Sequence, residues 1–137
     1  MKLSLVFVTL FSMASAVWAQ PIDSFVKTLP SGVIVKTVTP GSGHHPKATD
    51  MVQVQYRGTL ADGTVFDDSA RHGGAVEFPL NQVIACWTQG LQQARVGARV
   101  ELTCPAATAY GASGAGNLVP ANAELTFDIE LLGARAP

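Results

Sequence analysis

The chain has 137 residues, and its nine lysines and arginines against ten aspartates and glutamates give a formal net charge of −1. Hydrophobic residues make up 47% and charged residues 14%, which predicts one packed core and excludes a disordered chain. No basic patch or excess of basic residues is present, which argues against a nucleic-acid-binding protein.

The N-terminus has the pattern of a signal peptide over residues 1–19. Lys2 precedes an uncharged apolar run over residues 3–17, and the small residues Val17 and Ala19 suit a cleavage after Ala19. The alternative is an N-terminal membrane anchor, although the run is shorter than the ~20 apolar residues of a spanning helix. Cleavage would make the protein periplasmic or secreted, with no membrane span left.

The rest of the chain is predicted to be a short lead over residues 20–31 and one domain over residues 32–133. The lead contains two prolines and is too short to fold alone. Residues 32–39 are rich in β-branched side chains and predict a strand. Residues 50–60 alternate between apolar and polar side chains, which predicts a half-buried strand. Asp62 and Gly63 then form a turn signal.

A helical period follows over residues 82–94. Ile84, Trp87 and Leu91 lie three and four residues apart, so a helix would place them on one face. Gly90 weakens the helix, which is therefore expected to be short.

Further extended segments are predicted at residues 75–80, 98–104 and 123–132. Between the last two, residues 105–123 form a long loop rich in glycine, and such loops are often functional. The total is about five strands and one short helix. This pattern predicts an α+β domain in which the helix packs across an antiparallel sheet.

Four stretches resemble, in the same order, the motifs of the FKBP family of prolyl isomerases. Residues 52–67 resemble V-x-V-x-Y-x-G-x-L-x-D-G-x-x-F-D, and residues 78–91 resemble F-x-L followed by V-I-x-G-W-x-x-G-L. Residues 105–111 resemble P-x-x-x-A-Y-G, and residues 119–132 resemble I-P-x-x-x-x-L-x-F-x-V-E-L-L. The resemblance covers about a hundred residues.

This resemblance implies a twisted antiparallel five-stranded sheet wrapped around one short helix, with a pocket for a prolyl ring. It implies two catalytic residues, Asp67 and Tyr110. The residues that it implies for substrate binding are Tyr56, Phe66, Val76, Val83, Ile84, Trp87, Leu118 and Phe127. Val76 stands where many members of the family carry a second aromatic residue.

The resemblance also implies roles for these residues. Trp87 would form the floor of the pocket, and Tyr110 would offer its hydroxyl to the carbonyl of the rotating bond. Asp67 would act electrostatically or orient Tyr56, and the two roles stay open. The backbone N–H of Ile84 would anchor a substrate carbonyl. Without the resemblance, Trp87 is ordinary core and Asp67 a turn residue.

The implied activity is peptidyl-prolyl cis–trans isomerisation, with no metal and no cofactor. The implied partners are proline-containing peptides, unfolded exported proteins and macrolide inhibitors. The alternative is a folding chaperone or peptide-binding module that uses the same pocket without significant turnover. About a dozen residues separate Ala19 from the first predicted strand, too few for the dimerisation arm of some relatives, so a monomer is expected. His44, His45 and His72 lack metal-ligand spacing and are predicted to be solvated loop residues.

The chain has two cysteines: Cys86 precedes Trp87 on the predicted helix, and Cys104 ends a predicted strand with its side chain inward. In an exported protein they would form a disulfide, provided that the helix lies over the strand that ends at Cys104. The alternative is two separate buried thiols, since cysteine is a common small core residue.

Overall fold

A computed structural model describes residues 25–137. The predicted signal peptide, its cleavage site and the alternative anchor lie outside the described residues. Over residues 25–137, no helix combines the length and the apolar character that crossing a membrane requires.

Within residues 25–137, seven strands form one antiparallel sheet. Their bounds are β1 Val26–Thr28, β2 Ile34–Thr39, β3 Met51–Leu60, β4 Val65–Asp68, β5 Val76–Pro79, β6 Arg99–Cys104 and β7 Leu125–Arg135. The order across the sheet is β1-β2-β6-β7-β3-β4, and β5 also pairs with β3. Two strands therefore share one edge of β3. Residues 51–54 of β3 pair with β5, and residues 57–59 of β3 pair with β4.

The α+β class is confirmed, but the expected number of five strands is wrong. The additional strands are β1 and β4. Strand β1 has three residues, all of them exposed, so its sequence carries no alternation that could reveal it. It lies within the predicted lead and pairs with β2. Strand β4 has four residues and is defined by its pairing with β3.

The long strand β3 shows how the core forms. Val52, Val54 and Tyr56 are buried, whereas the intervening Gln53 and Gln55 are exposed, as the alternation predicts. Strands β6 and β7 alternate in the same way, and their buried side chains face the same layer. This layer packs against the helix.

The helix, α1, spans Ala85–Leu91 and is shorter than the predicted residues 82–94. A 3₁₀ turn precedes it at Leu80–Gln82, and Ile84 at its N-terminus has an extended backbone. Gly90 is buried against β6, since a Cβ atom there would lie 2.7 Å from Cδ2 of Leu102. The missing side chain therefore allows the helix to approach the sheet closely.

A disulfide joins Cys86 of α1 to Cys104 at the end of β6, with the two Cα atoms 5.6 Å apart. Both residues are fully buried. The predicted pairing is thus confirmed, and the alternative of two free thiols is wrong. The bond ties the helix to the sheet one residue before Trp87.

The predicted loop over residues 105–123 is held by local hydrogen bonds. Two 3₁₀ turns lie at Ala106–Thr108 and Gly111–Ser113, and a β-bridge joins Ala115 to Val119. Val119 is buried in the core. The loop thereby presents Tyr110 beside the helix layer.

Candidate active site

A cavity of about 550 Å³ opens between the sheet, the helix and the long loop. Its walls come from β3, β4, β5, β7 and α1. Nine of the ten predicted site residues line it: Tyr56, Phe66, Asp67, Val76, Val83, Ile84, Trp87, Tyr110 and Phe127. Residues far apart in the sequence thus meet at one apolar cavity.

Leu118 is the predicted site residue that does not line the cavity. Its side chain lies near the end of the long loop and is 62% exposed. Neighbouring Val119 fills the core position instead, because the bridge between Ala115 and Val119 turns Leu118 outward.

Aromatic rings build the floor of the cavity around Trp87, which is 4% exposed. The centroid of its ring lies 5.0 Å from that of Tyr56 and 5.3 Å from that of Phe127, in edge-to-face geometry. Phe66 packs edge-on against Phe127 at 5.6 Å. Such arrangements match the positive ring edge to the negative ring face, so the rings of the floor attract one another.

The indole N–H of Trp87 is buried and has no hydrogen-bond partner among residues 25–137. The indole therefore contributes to the structure through its apolar contacts rather than through its polar atom.

A hydrogen-bonded chain forms one side of the rim. The hydroxyl of Tyr56 donates to Oδ2 of Asp67 at 2.7 Å, and Nε2 of His72 lies 2.9 Å from Oδ1. The backbone N–H of Asp68 also donates to Oδ1. Burial opposes ionisation of Asp67, but these hydrogen bonds outweigh it and hold the pKa of its carboxyl below the ordinary value.

The two phenols of the cavity stay protonated. Burial, and to a smaller extent the hydrogen bond to Asp67, raises the pKa of Tyr56 well above its ordinary value. Burial and the charge of Asp67 also raise the pKa of Tyr110. The hydroxyl of Tyr110 has no partner among the described residues, so it is free to donate to a bound molecule.

Three further residues line the cavity beyond the predicted set: His72, Phe78 and Gln82. Phe78 shares the alternation of β5 with Val76, so the strand period alone could have identified it. The position of His72 depends on the turn after β4, and no pattern in the sequence signals it.

All three histidines are exposed, as the prediction of solvated residues expected, but His72 and His45 also make polar contacts that the sequence does not signal. Nδ1 of His45 lies 2.8 Å from the carbonyl oxygen of Ala94 and ties the loop before β3 to the end of the helix. Within residues 25–137, no three His, Cys, Asp or Glu side chains form a group able to hold a metal ion.

Gly58 of β3 makes room for two rings of the cavity. A Cβ atom there would lie 2.6 Å from Cζ of Phe66 and 2.9 Å from Cε1 of Phe127. We expect Gly58→Ala to lower the free energy of unfolding by about 1–3 kcal/mol, because both rings must leave their packed positions. Urea unfolding measures this loss.

Gly133→Ala in β7 is the matched control. The nearest atom to a Cβ there is Oε1 of Gln53 at 3.8 Å, an ordinary contact. This variant should be as stable as the wild type or slightly more stable, because alanine restricts the unfolded chain. Equal stability of the two variants would contradict the packing role of Gly58.

Comparison with known proteins identifies a family. Residues 42–132 match the sequence profile of the FKBP-type peptidyl-prolyl cis-trans isomerase family. The chain is 49% identical over 112 residues to the FKBP-type peptidyl-prolyl cis-trans isomerase FkpA of Aeromonas hydrophila, which covers 82% of this chain and 41% of the relative. It is 44% identical to the FKBP-type 22 kDa isomerase of Escherichia coli, covering 52% of that protein. The chain thus spans about half or less of the length of these relatives.

Solved structures agree with the fold. The crystal structure of FkpA from Escherichia coli superimposes with a TM-score of 0.78 at 40% identity, over 82% of this chain and 53% of that one. A peptidyl-prolyl cis-trans isomerase of Pseudomonas syringae gives a TM-score of 0.76 at 40% identity, over 85% and 83% of the two chains. On its sequence, its fold and its ring-lined cavity, the chain belongs to the FKBP-type peptidyl-prolyl cis-trans isomerase family.

Proposed function

We propose that this chain is a peptidyl-prolyl cis–trans isomerase that accelerates rotation about X–Pro bonds in exported proteins. The observation that carries the proposal is the cavity of about 550 Å³, with an aromatic floor and a free phenol donor at its rim. Family membership supports the same activity.

The chemistry needs a selective environment rather than a reactive group. Rotation about a peptide bond has a barrier of ~18–20 kcal/mol, because the planar amide is stabilised by resonance. The cis and trans forms of an X–Pro bond differ by only ~0.5–1 kcal/mol, so both are populated and exchange slowly. A catalyst must therefore bind the twisted amide better than either planar form.

An apolar cavity supplies this preference. The twisted amide has lost conjugation and is less dipolar than the planar amide, so moving it out of water costs less. In this chain Trp87, Phe66 and Phe127 would hold the prolyl ring, and Val83 would close the side of the cavity. The substrate then enters with its amide in a dry environment.

Polar groups at the rim would orient the substrate. The backbone N–H of Ile84 donates to no acceptor among residues 25–137 and borders the cavity, which supports its use as an anchor for a substrate carbonyl. Tyr110 would donate its hydroxyl to the carbonyl of the rotating bond. The hydrogen bond between Tyr56 and Asp67 supports a role for Asp67 in orienting Tyr56.

The direct test is a proline-peptide isomerisation assay on Tyr110→Phe and Asp67→Ala. We expect Tyr110→Phe to lower kcat/KM about two- to tenfold, the equivalent of one lost hydrogen bond of ~0.5–1.5 kcal/mol. Asp67→Ala should lower it at least as much, because Tyr56 then loses its acceptor and can turn away from the cavity.

Asp128→Asn is the control for Asp67→Ala. Like Asp67, Asp128 is a carboxylate whose pKa is lowered by a hydrogen bond. Its donor is Arg99, and the pair lies away from the cavity. Its substitution should leave the rate unchanged. Wild-type rates in both cavity variants would remove the two assigned roles. Peptide binding by the wild type without any acceleration would instead indicate the chaperone or binding module.

The wider biological role stays a prediction. Export is predicted from the signal-peptide pattern of residues 1–19, and a mass measurement on the protein recovered from the periplasm or medium would show whether cleavage follows Ala19. Competition by a macrolide in the isomerisation assay would test whether Val76, in place of a larger aromatic residue, still supports inhibitor binding. Sedimentation would check the expected monomer.

A further inference from the structure

His72 occupies a defined position at the rim of the cavity. It ends the 3₁₀ turn Ser69–His72, whose first residue is buried and accepts a hydrogen bond through Oγ from the backbone N–H of Tyr56 at 3.0 Å. Gly73 ends the turn with a φ of 91°, a conformation that glycine adopts readily. The turn is thus anchored to β3, and it holds His72 beside Asp67.

The contact between His72 and Asp67 does not depend on the charge of the imidazole. The carboxylate of Asp67 has no proton to donate, so Nε2 of His72 must donate across the 2.9 Å contact. The neutral ring with its proton on Nε2 makes this bond, and so does the protonated ring. Protonation therefore adds a charge while the contact persists.

The other ionisable groups at this rim keep a fixed charge, so a proton gained by the imidazole of His72 changes the net charge of the rim. Asp68 is paired with Arg57 at 3.0 Å. The raised pKa values keep both phenols neutral, and the lowered pKa of Asp67 keeps it charged. The titratable groups that line the cavity together with His72 are Tyr56, Asp67 and Tyr110. Three further charged residues lie on the neighbouring segments: Arg57 on β3, Asp68 at the end of β4 and Arg71 in the turn itself.

We propose that His72 is a specificity-determining residue. Through His72, the charge that the cavity prefers on the residue before proline depends on pH. With His72 neutral, the pair carries the negative charge of Asp67 and disfavours an acidic neighbour of proline. With His72 protonated, the pair is neutral and this discrimination disappears. Histidine is the side chain that ordinarily changes its charge between pH 5 and 8.

The other histidines do not offer the same effect. His44 and His45 lie in the loop before β3, where the carbonyl oxygen of His44 accepts from the N–H of Val96 and His45 contacts Ala94. Neither residue lines the cavity. A variant of His72 that cannot titrate therefore isolates its contribution.

The test measures kcat/KM for three peptides that differ only before proline, with Glu, Gln or Lys, at pH 8.0 and 5.5 in low salt. Rate ratios cancel any general effect of pH on the enzyme. We expect the Glu/Gln ratio to rise about two- to fivefold as the pH falls, and the Lys/Gln ratio to fall similarly, the size of one partly exposed charge interaction. High salt should shrink both changes.

His72→Gln is the matched variant, because its amide can still donate to Asp67 but carries no charge at either pH. Its two ratios should be independent of pH. His72→Lys keeps a positive charge, so its ratios should stay at the acidic wild-type values. A wild-type Glu/Gln ratio that does not change with pH, or a change that persists in His72→Gln, would overturn the proposal.

This inference rests on the proposed isomerase function, and calorimetric binding of the same peptides separates the two. If no peptide is turned over but the ratios of dissociation constants shift with pH through His72, the isomerase proposal fails and the charge selection stands. If turnover is normal and the ratios stay constant, the charge selection fails alone. No binding and no turnover would overturn both.

Discussion

Trp87→Ala is expected to lower the free energy of unfolding by about 3–5 kcal/mol, the usual cost of removing a buried indole. The ring is 4% exposed and touches Tyr56, Phe78 and Phe127 edge-on, so its loss leaves these rings without their common neighbour. Denaturant unfolding measures the cost. Peptide isomerisation should fall about 10- to 100-fold, which corresponds to ~1.5–3 kcal/mol of lost apolar contact with the prolyl ring.

Trp87→Phe is the informative control for this prediction. The indole N–H has no partner among the described residues, so phenylalanine removes contact area but no hydrogen bond. We expect this variant to lose less than half as much stability as Trp87→Ala and to keep measurable isomerisation. If the two variants lose the same stability and activity, the indole acts through its polar atom and the apolar account of the floor is wrong.

Removing the disulfide with the double variant Cys86→Ala/Cys104→Ala is expected to lower the free energy of unfolding by about 3 kcal/mol. The bond closes a segment with a sequence separation of 18, and a cross-link of this length restricts the unfolded chain by about that amount on the chain-entropy account. Urea unfolding of oxidised wild type and double variant measures the difference.

A reducing agent provides the control for this second prediction. It should lower the stability of the wild type once the protein has been unfolded and its thiols are accessible, because both cysteines are fully buried in the folded protein. It should not change the double variant. A double variant as stable as the oxidised wild type would show that the packing of α1 on β6 needs no covalent link.

The elements with a clear period were predictable. Val52, Val54 and Tyr56 of β3 alternate with polar residues, and the structure buries them. The spacing of Trp87 and Leu91 likewise predicts a buried helical face. Such patterns predict an element because one face of a strand or helix contacts the core and the opposite face contacts water, so apolar residues recur with the period of that element.

Short elements and isolated contacts were harder to predict. The helix is shorter than its apolar pattern, because residues 80–84 form a turn and an extended segment instead of helix. Leu118 matches a position expected to bind substrate, yet the bridge that buries Val119 turns it outward. In both cases tertiary packing overrode a local pattern.

For this protein, the sequence by itself determined the α+β class, the apolar faces and, through the family motifs, most of the ring residues around Trp87. These features depend on local periodicity and on motifs that can be identified in the sequence without the structure. The sequence left open whether Cys86 and Cys104 form a disulfide or remain two thiols. The tertiary structure alone decided that β1 and β4 complete the sheet and that His72 reaches Asp67. Both depend on how separate segments approach one another, since strand pairing and side-chain hydrogen bonds are set by distances that neighbouring residues in the chain do not specify.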